Sequence, residues 1–118
     1  MIVDLRIYTV RPGRVAEYVA LYKQYAWPLQ EKYLGTCLGW YQGLEGQINT
    51  VVHLWGYKSQ ADREARRSAM AKDPAWQDFV RRMGDSGYLL NTENRIIVPT
   101  DFCPDAEKVG VALRTIGG

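Results

Sequence analysis

Apolar and polar residues alternate at the start of the chain, between positions 2 and 10. The apolar positions are Val3, Leu5 and Ile7, and the positions between them are Asp4, Arg6 and Tyr8. A period of two predicts a β-strand whose two faces differ. From 15 to 33 the apolar residues instead recur every three or four positions, which predicts a helix. Pro28 predicts a break in that helix, because proline has no amide hydrogen, and Gly35 predicts its end.

The same reading continues along the chain. Aromatic and β-branched runs at 37–42 and 49–57 flank turn residues and predict a hairpin. Ser59 and Asp73-Pro74 predict the starts of two helices. The second helix contains an apolar stripe at Trp76, Phe79, Val80 and Met83, and Gly84 and Gly87 predict its end. A last strand is predicted at 88–98. The order β-α-β-β-α-β predicts an α+β, ferredoxin-like domain over residues 1–99 with an antiparallel sheet. A tail follows at 100–118, in which 109–116 either adds a short strand or stays mobile.

Strand alternation also predicts which side chains share a face. With Val3, Leu5 and Val52 assigned to the side covered by helices, the opposite, open face receives Arg6, Tyr8, Trp40, His53, Trp55, Tyr57, Glu93 and Arg95. Such a face is too aromatic for water and too charged for a dry core. We therefore expect a homodimer that pairs two open faces around a polar cavity. The alternative is a dimer interface without any ligand site.

Composition narrows the function classes. The chain has 118 residues, 47% of them hydrophobic and 24% charged, as in a single soluble domain. A net charge of +2 gives no support for nucleic-acid binding. No apolar run approaches the ~20 residues of a membrane span. Two cysteines and the absence of a leader sequence at Met1 predict a cytoplasmic protein.

Few residues offer obvious chemistry. His53 is the only histidine, so we expect no metal site, and its possible roles are a general acid or base, a haem ligand, or a hydrogen-bonded interface residue. Tyr8 is the second candidate for moving a proton. The helical arginines alternate with acidic residues and predict a solvated helix surface; they are Arg63, Arg66, Arg67, Arg81 and Arg82.

Several linked motifs resemble the NIPSNAP family. They are the opening Val3–Val10 with Gly13, the segment Asn49–Tyr57, the segment Ser59–Arg63, and Asp73-Pro74-Ala75-Trp76. The resemblance spans about residues 2–99. It implies a dimeric α+β barrel, from the superfamily of cofactor-free monooxygenases, muconolactone isomerases, haem-degrading oxygenases and stress-responsive barrel proteins. No catalytic residue carries over, because the family has no assigned catalytic set.

Three functions remain open at this point. In the first, the protein binds or transforms a small planar or anionic molecule: Arg6 or Arg95 would hold the anion, Trp40 and Trp55 would stack on the ring, and His53 or Tyr8 would move a proton. A cofactor-free oxygenase or isomerase would fit this description. In the second, the chain is a non-catalytic self-association or interaction module. In the third, His53 binds haem.

Overall fold

The predicted β-α-β-β-α-β order is confirmed, with each helical unit divided in two. The computed structural model describes residues 1–104, and the predicted strand at 109–116 lies outside them. The elements are β1 (Ile2–Val10), α1 (Val15–Tyr25), α2 (Trp27–Tyr33), β2 (Thr36–Gln42), β3 (Thr50–Tyr57), α3 (Gln60–Ala71), α4 (Pro74–Ser86) and β4 (Leu89–Ile97).

Four antiparallel strands form one sheet in the order β2-β3-β1-β4. β1 and β3 are therefore the central strands. At mid-sheet, Arg6 of β1 lies opposite His53 of β3 and Asn94 of β4, and His53 in turn lies opposite Trp40 of β2. The register brings these four residues into one row across the sheet.

Local sequence signals place the helix ends. The Ser59 hydroxyl accepts a hydrogen bond of 3.1 Å from the Asp62 amide, and the Asp73 carboxylate accepts one of 2.8 Å from the Ala75 amide. These contacts satisfy amide groups that the first helical turn leaves unpaired. One predicted end is wrong: α4 continues through Gly84 to Ser86, and Gly87, which has a φ of 68°, caps it.

The helices cover the opposite sheet face from the one predicted for β1, β2 and β3. His53 and Trp55 are 1% exposed and Tyr57 is fully buried, because Trp55 packs against Trp27 of α2 and Tyr57 packs in a cluster with Met70 of α3. The register places further members of the predicted open face on this helix-covered side; they are Arg6, Tyr8 and Trp40.

Glu93 and Arg95 are the two members of the predicted open face that do lie away from the helices. They pair across the sheet with Ile7 and Leu5, whose side chains are on that side. The predicted single patch is thus divided between two faces. The alternation correctly grouped the residues that share a face within each strand. The face that the helices cover was predicted wrongly for β1 to β3, because both faces of these strands are rich in apolar residues.

The core contains two clusters beneath the helices. One surrounds Val10 and Tyr22, and the other surrounds Trp55 and Tyr57. Three tryptophans pack against both clusters; they are Trp27, Trp40 and Trp76. Val80 was predicted to be buried, but 53% of it is exposed. Among residues 1–104, no helix has the length and apolar character that a membrane span requires.

The sheet face away from the helices is aliphatic. Val3 packs there with Leu38 and Leu54. The register adds further aliphatic residues to the same side, namely Leu5, Ile7, Val52 and Ile97. This aliphatic surface, and not the aromatic one that was predicted, is the open face of the sheet.

Candidate functional site

A cavity of about 380 Å³ lies between the sheet and the helices of one subunit. Ligand pockets in proteins commonly range from about 300 to 1,000 Å³. Six of the fifteen residues that line it are aromatic, namely Tyr8, Tyr18, Tyr22, Trp55, Trp76 and Phe79. The sequence predicted a cavity between the sheets of two subunits. The side chains predicted to line it on β1 to β3 lie instead on the face beneath the helices.

Arg6 and Tyr8 form a hydrogen-bonded pair in the cavity wall. Nη1 of Arg6 donates a hydrogen bond of 2.7 Å to the Tyr8 hydroxyl oxygen, and Nε of Arg6 lies 3.3 Å from a carboxylate oxygen of Asp4. The Arg6 side chain is 15% exposed. Because the Tyr8 oxygen accepts from Arg6, the hydroxyl hydrogen remains available for a different acceptor.

The carboxylate of Asp4 binds the Arg6 member of this pair. It is fully buried, and it accepts hydrogen bonds from Arg63 at 2.9 Å and from Asn94 at 3.2 Å, in addition to Arg6. Burial alone would raise the pKa of Asp4, but the charge of Arg6 and the bonds from Arg63 and Asn94 lower it below its usual value. Asp4 is therefore an ionised carboxylate shared by two arginines.

Arg67 supplies a second positive charge to the cavity. It lies on α3 one turn after Arg63, lines the cavity, and has no carboxylate within ion-pair distance in the part of the chain that the structure describes. Burial raises the pKa of the neighbouring Tyr57, and the Arg67 guanidinium opposes that rise. The predicted solvated surface is thus wrong for Arg63 and Arg67, which point toward the sheet.

His53 is enclosed by aromatic rings. Its Nδ1 accepts a hydrogen bond of 2.7 Å from Trp55 Nε1, and the Trp40 ring stacks on it at 5.3 Å. Tyr8 and Tyr22 contact it edge-on. Burial, together with the charges of Arg6 and Arg67, lowers the pKa of His53 to about 3. The imidazole is neutral at physiological pH.

The surroundings of His53 limit its chemistry. It is absent from the cavity wall, and its Nε2 is buried without a hydrogen-bond partner among residues 1–104. An axial haem ligand must present a nitrogen to open space, so this residue does not fit a haem site. In the same range, no three His, Cys, Asp or Glu side chains cluster as a metal site requires.

The structure brings together only some of the predicted site residues. Arg6, Tyr8 and Trp55 line the main cavity. Trp40 instead lines a separate groove of about 250 Å³, and Tyr57 is buried beside α3. Glu93 and Arg95 belong to the open face. Glu93 nevertheless borders a small pocket of about 60 Å³ together with Arg6 and Tyr8.

Sequence reasoning missed most residues of the cavity wall, among them Arg67, Gln30 and Trp76. Arg67 has the four-residue spacing from Arg63 that places both on one helix face, and this signal could have identified it. Gln30 accepts a hydrogen bond from the Tyr22 hydroxyl at the cavity wall. Trp76 was expected to be purely structural, but it lines the cavity and packs on Phe79 at 5.0 Å.

A model of the NIPSNAP family matches residues 3–104. The chain belongs to the NIPSNAP family. It is 30% identical to a NipSnap homolog of Dictyostelium discoideum over 81% of this chain and 41% of that protein. It is 31% identical to human NipSnap homolog 3A over 64% of this chain and 30% of that protein. The chain therefore corresponds to less than half the length of these relatives.

Solved structures of the family share the NIPSNAP fold described above. A NIPSNAP family protein of Agrobacterium tumefaciens is 39% identical, with a TM-score of 0.82 over 87% of this chain and 96% of that one. A NIPSNAP-like domain protein of Burkholderia xenovorans is 35% identical, with a TM-score of 0.80 over 87% and 88%. An antibiotic biosynthesis monooxygenase at 10% identity and a TM-score of 0.57, over 85% and 99%, shares the fold alone.

Proposed function

We propose that this NIPSNAP domain binds a small molecule with an acidic group and a flat apolar body in the cavity between sheet and helices. One observation carries the proposal: Arg6 and Arg67 line a cavity that six aromatic residues also line. The two arginines would hold the acidic group, and the rings would contact the body.

The local balance of charge supports an anionic ligand. Asp4 is the carboxylate that neutralises both Arg6 and Arg63. Arg67 adds a third guanidinium without an ion pair among residues 1–104. A guanidinium in a partly buried site gains most from a carboxylate or phosphate partner, because its fork of N–H donors matches two anionic oxygens.

The aromatic wall supports a flat body. Trp55 and Trp76 face the cavity, and flat rings stack favourably on indole and phenyl surfaces. An interaction module needs no such internal space, and the cavity therefore favours ligand binding over that alternative. Transformation of the ligand by cofactor-free oxygenation or isomerisation stays a prediction, for which Tyr8 is the available proton donor in the cavity wall.

A pair of matched compounds tests the proposal. 2-Naphthoate and its neutral analogue 2-naphthalenemethanol are titrated into the protein, with heat and tryptophan fluorescence as readouts. We expect the carboxylate to bind about tenfold more tightly than the alcohol, and Arg67→Gln to remove most of that preference. Arg81→Gln is the control, since Arg81 is exposed and absent from the cavity wall. Equal affinity for both compounds in the parent protein would overturn the proposal.

We further propose that two copies pair through the open face. The aliphatic residues of this face, including Leu5 and Leu54, would be buried in the pair. A two-fold interface must be complementary to itself, and Glu93 and Arg95 on β4 offer opposite charges that can meet across such an axis.

The small number of cysteines favours a reducing compartment, which agrees with the expected cytoplasmic location.

A further inference from the structure

We propose that Gly84 sets the size of the ligand, so that the cavity accepts acids built on about two fused rings, with the apolar end beside α4. This inference rests on the proposed function and adds the substrate class and a residue that determines specificity. It follows from the position of the cavity rim, from the cost of a glycine inside a helix, and from the length of the cavity along β1.

The rim is formed largely by one side of α4. Val80, Gly84 and Gly87 all line the cavity and are all exposed to solvent. Their spacing of four and three residues places them along one face of the helix. Thr92 of β4 is also exposed and lines the cavity. Tyr18 and Trp55, each 1% exposed, belong to the buried part of the wall.

Neither the backbone nor the packing requires a glycine at position 84. The residue lies inside α4, where glycine is among the least favourable helix formers. Its φ is not positive. Among residues 1–104, a Cβ atom built on it meets no atom within 4 Å apart from its chain neighbours and the backbone of its own helix. The absent side chain leaves open space at the rim of the cavity.

The cavity is long enough for two rings and an acidic group. Arg6 and Leu89 both line it, and Leu89 pairs with Val10, so the cavity follows β1 from Arg6 to Val10. The four steps along the strand from Arg6 to Val10 span about 13 Å at the rise of an antiparallel strand. An acid held by Arg6 and Arg67 would therefore extend its apolar body past Tyr8 toward Gly84. A leucine at position 84 would occupy that space, whereas a single-ring acid would stay short of it.

The test compares ligand length in a set of variants. Benzoate, 2-naphthoate and 2-naphthalenemethanol are titrated into the parent protein, Gly84→Leu, Gly84→Ala and the control Ala75→Leu. Ala75 is exposed on the first turn of α4 and does not line the cavity. We expect Gly84→Leu to weaken both naphthyl compounds by about tenfold and benzoate by less than about threefold. Ala75→Leu should change none of the three.

Gly84→Ala keeps the experiment decisive if the leucine variant folds poorly. Alanine favours the helix, so we expect a higher melting temperature together with a smaller loss of naphthyl binding, of about threefold. Unchanged naphthyl binding in both Gly84 variants would overturn the inference. If Arg67→Gln still weakens the carboxylates in that case, the proposed function stands. Absence of binding of every compound to the parent protein would overturn both.

Discussion

The indole Nε1 of Trp55 donates a hydrogen bond of 2.7 Å to Nδ1 of His53. This bond fixes the imidazole in the neutral tautomer that carries its hydrogen on Nε2, because Nδ1 must keep a lone pair to accept from Trp55. Protonation of His53 would place two N–H donors against each other in a buried site. The pair is therefore built for a neutral histidine.

We expect the stability of the protein to fall as the pH decreases through the normal titration range of histidine. His53 has a pKa of about 3 in the folded protein and 6.5 when unperturbed. Between these two pKa values, His53 binds a proton in the unfolded chain but not in the folded protein. The free energy of unfolding should decrease by about 2 kcal/mol between pH 7.5 and pH 5.0, measured by urea denaturation at each pH.

His53→Gln is the control for this pH dependence. The glutamine amide does not titrate, and its oxygen can accept the indole hydrogen of Trp55. The variant should lose most of the decrease in stability between pH 7.5 and pH 5.0. An equal decrease in both proteins would assign the pH dependence to another group. Asp4, whose pKa is lowered, contributes stability that is lost only at lower pH, below about 4.

Removal of the charge on Asp4 should destabilise the domain strongly. Asp4→Asn leaves the guanidinium groups of Arg6 and Arg63 without a carboxylate in a buried site, at a cost of about 3–5 kcal/mol. The matched control is Asp78→Asn, because Asp78 also bridges two arginines, Arg81 and Arg82, but at the surface of α4. The control should leave the melting temperature nearly unchanged. Similar losses in both variants would contradict the role assigned to Asp4.

The fold was predictable because local signals determine it. The Ser59 and Asp73 caps, the break before Pro28 and the period of two in β1 each depend on a few neighbouring residues. The covered side of the sheet was not predictable in this way. Alternation reports that Asp4 and Arg6 share a face, but whether that face is buried depends on Arg63, which is 59 residues from Asp4 in sequence.

The hydroxyl group of Tyr8 should contribute to carboxylate binding through Arg6. Tyr8→Phe removes the oxygen that accepts from Nη1 of Arg6, and the guanidinium loses one of the contacts that orient it. We expect the affinity for 2-naphthoate to fall by about threefold to tenfold, with that for 2-naphthalenemethanol unchanged. Tyr41→Phe on the open face is the control, since Tyr41 is 59% exposed. Equal weakening of both compounds would instead indicate a change in the shape of the cavity.

The same long-range dependence explains the outcome for the site. Arg6, Tyr8 and Trp55 were identified because charged and aromatic residues at alternate positions are unusual in a strand. Arg67 was assigned to a solvated helix surface and Trp76 to a buried packing stripe, since their spacing alone does not reveal an opening between helix and sheet. The cavity depends on how α3 and α4 pack on the sheet, and the sequence pattern of either helix alone does not predict it.

Sedimentation equilibrium should report a particle of twice 13.5 kDa at micromolar concentration. Leu54→Glu places a charge among Val3, Leu38 and Leu54 on the open face and should produce a monomer. The control is Leu44→Glu in the loop between β2 and β3, where the leucine is 88% exposed. A folded monomer of the parent chain would refute the dimer, and the cavity within one subunit would be unaffected.

Trp27, Trp40 and Trp76 each pack against both clusters of the core. Local unfolding of either cluster would remove tryptophan packing contacts from the other, so the two clusters should unfold together. Amide hydrogens in β1 and in β3 should consequently exchange with solvent at similar rates, through the same global event. The emission of all four tryptophans should change together in a single unfolding transition, with no stage at which one half of the core survives alone.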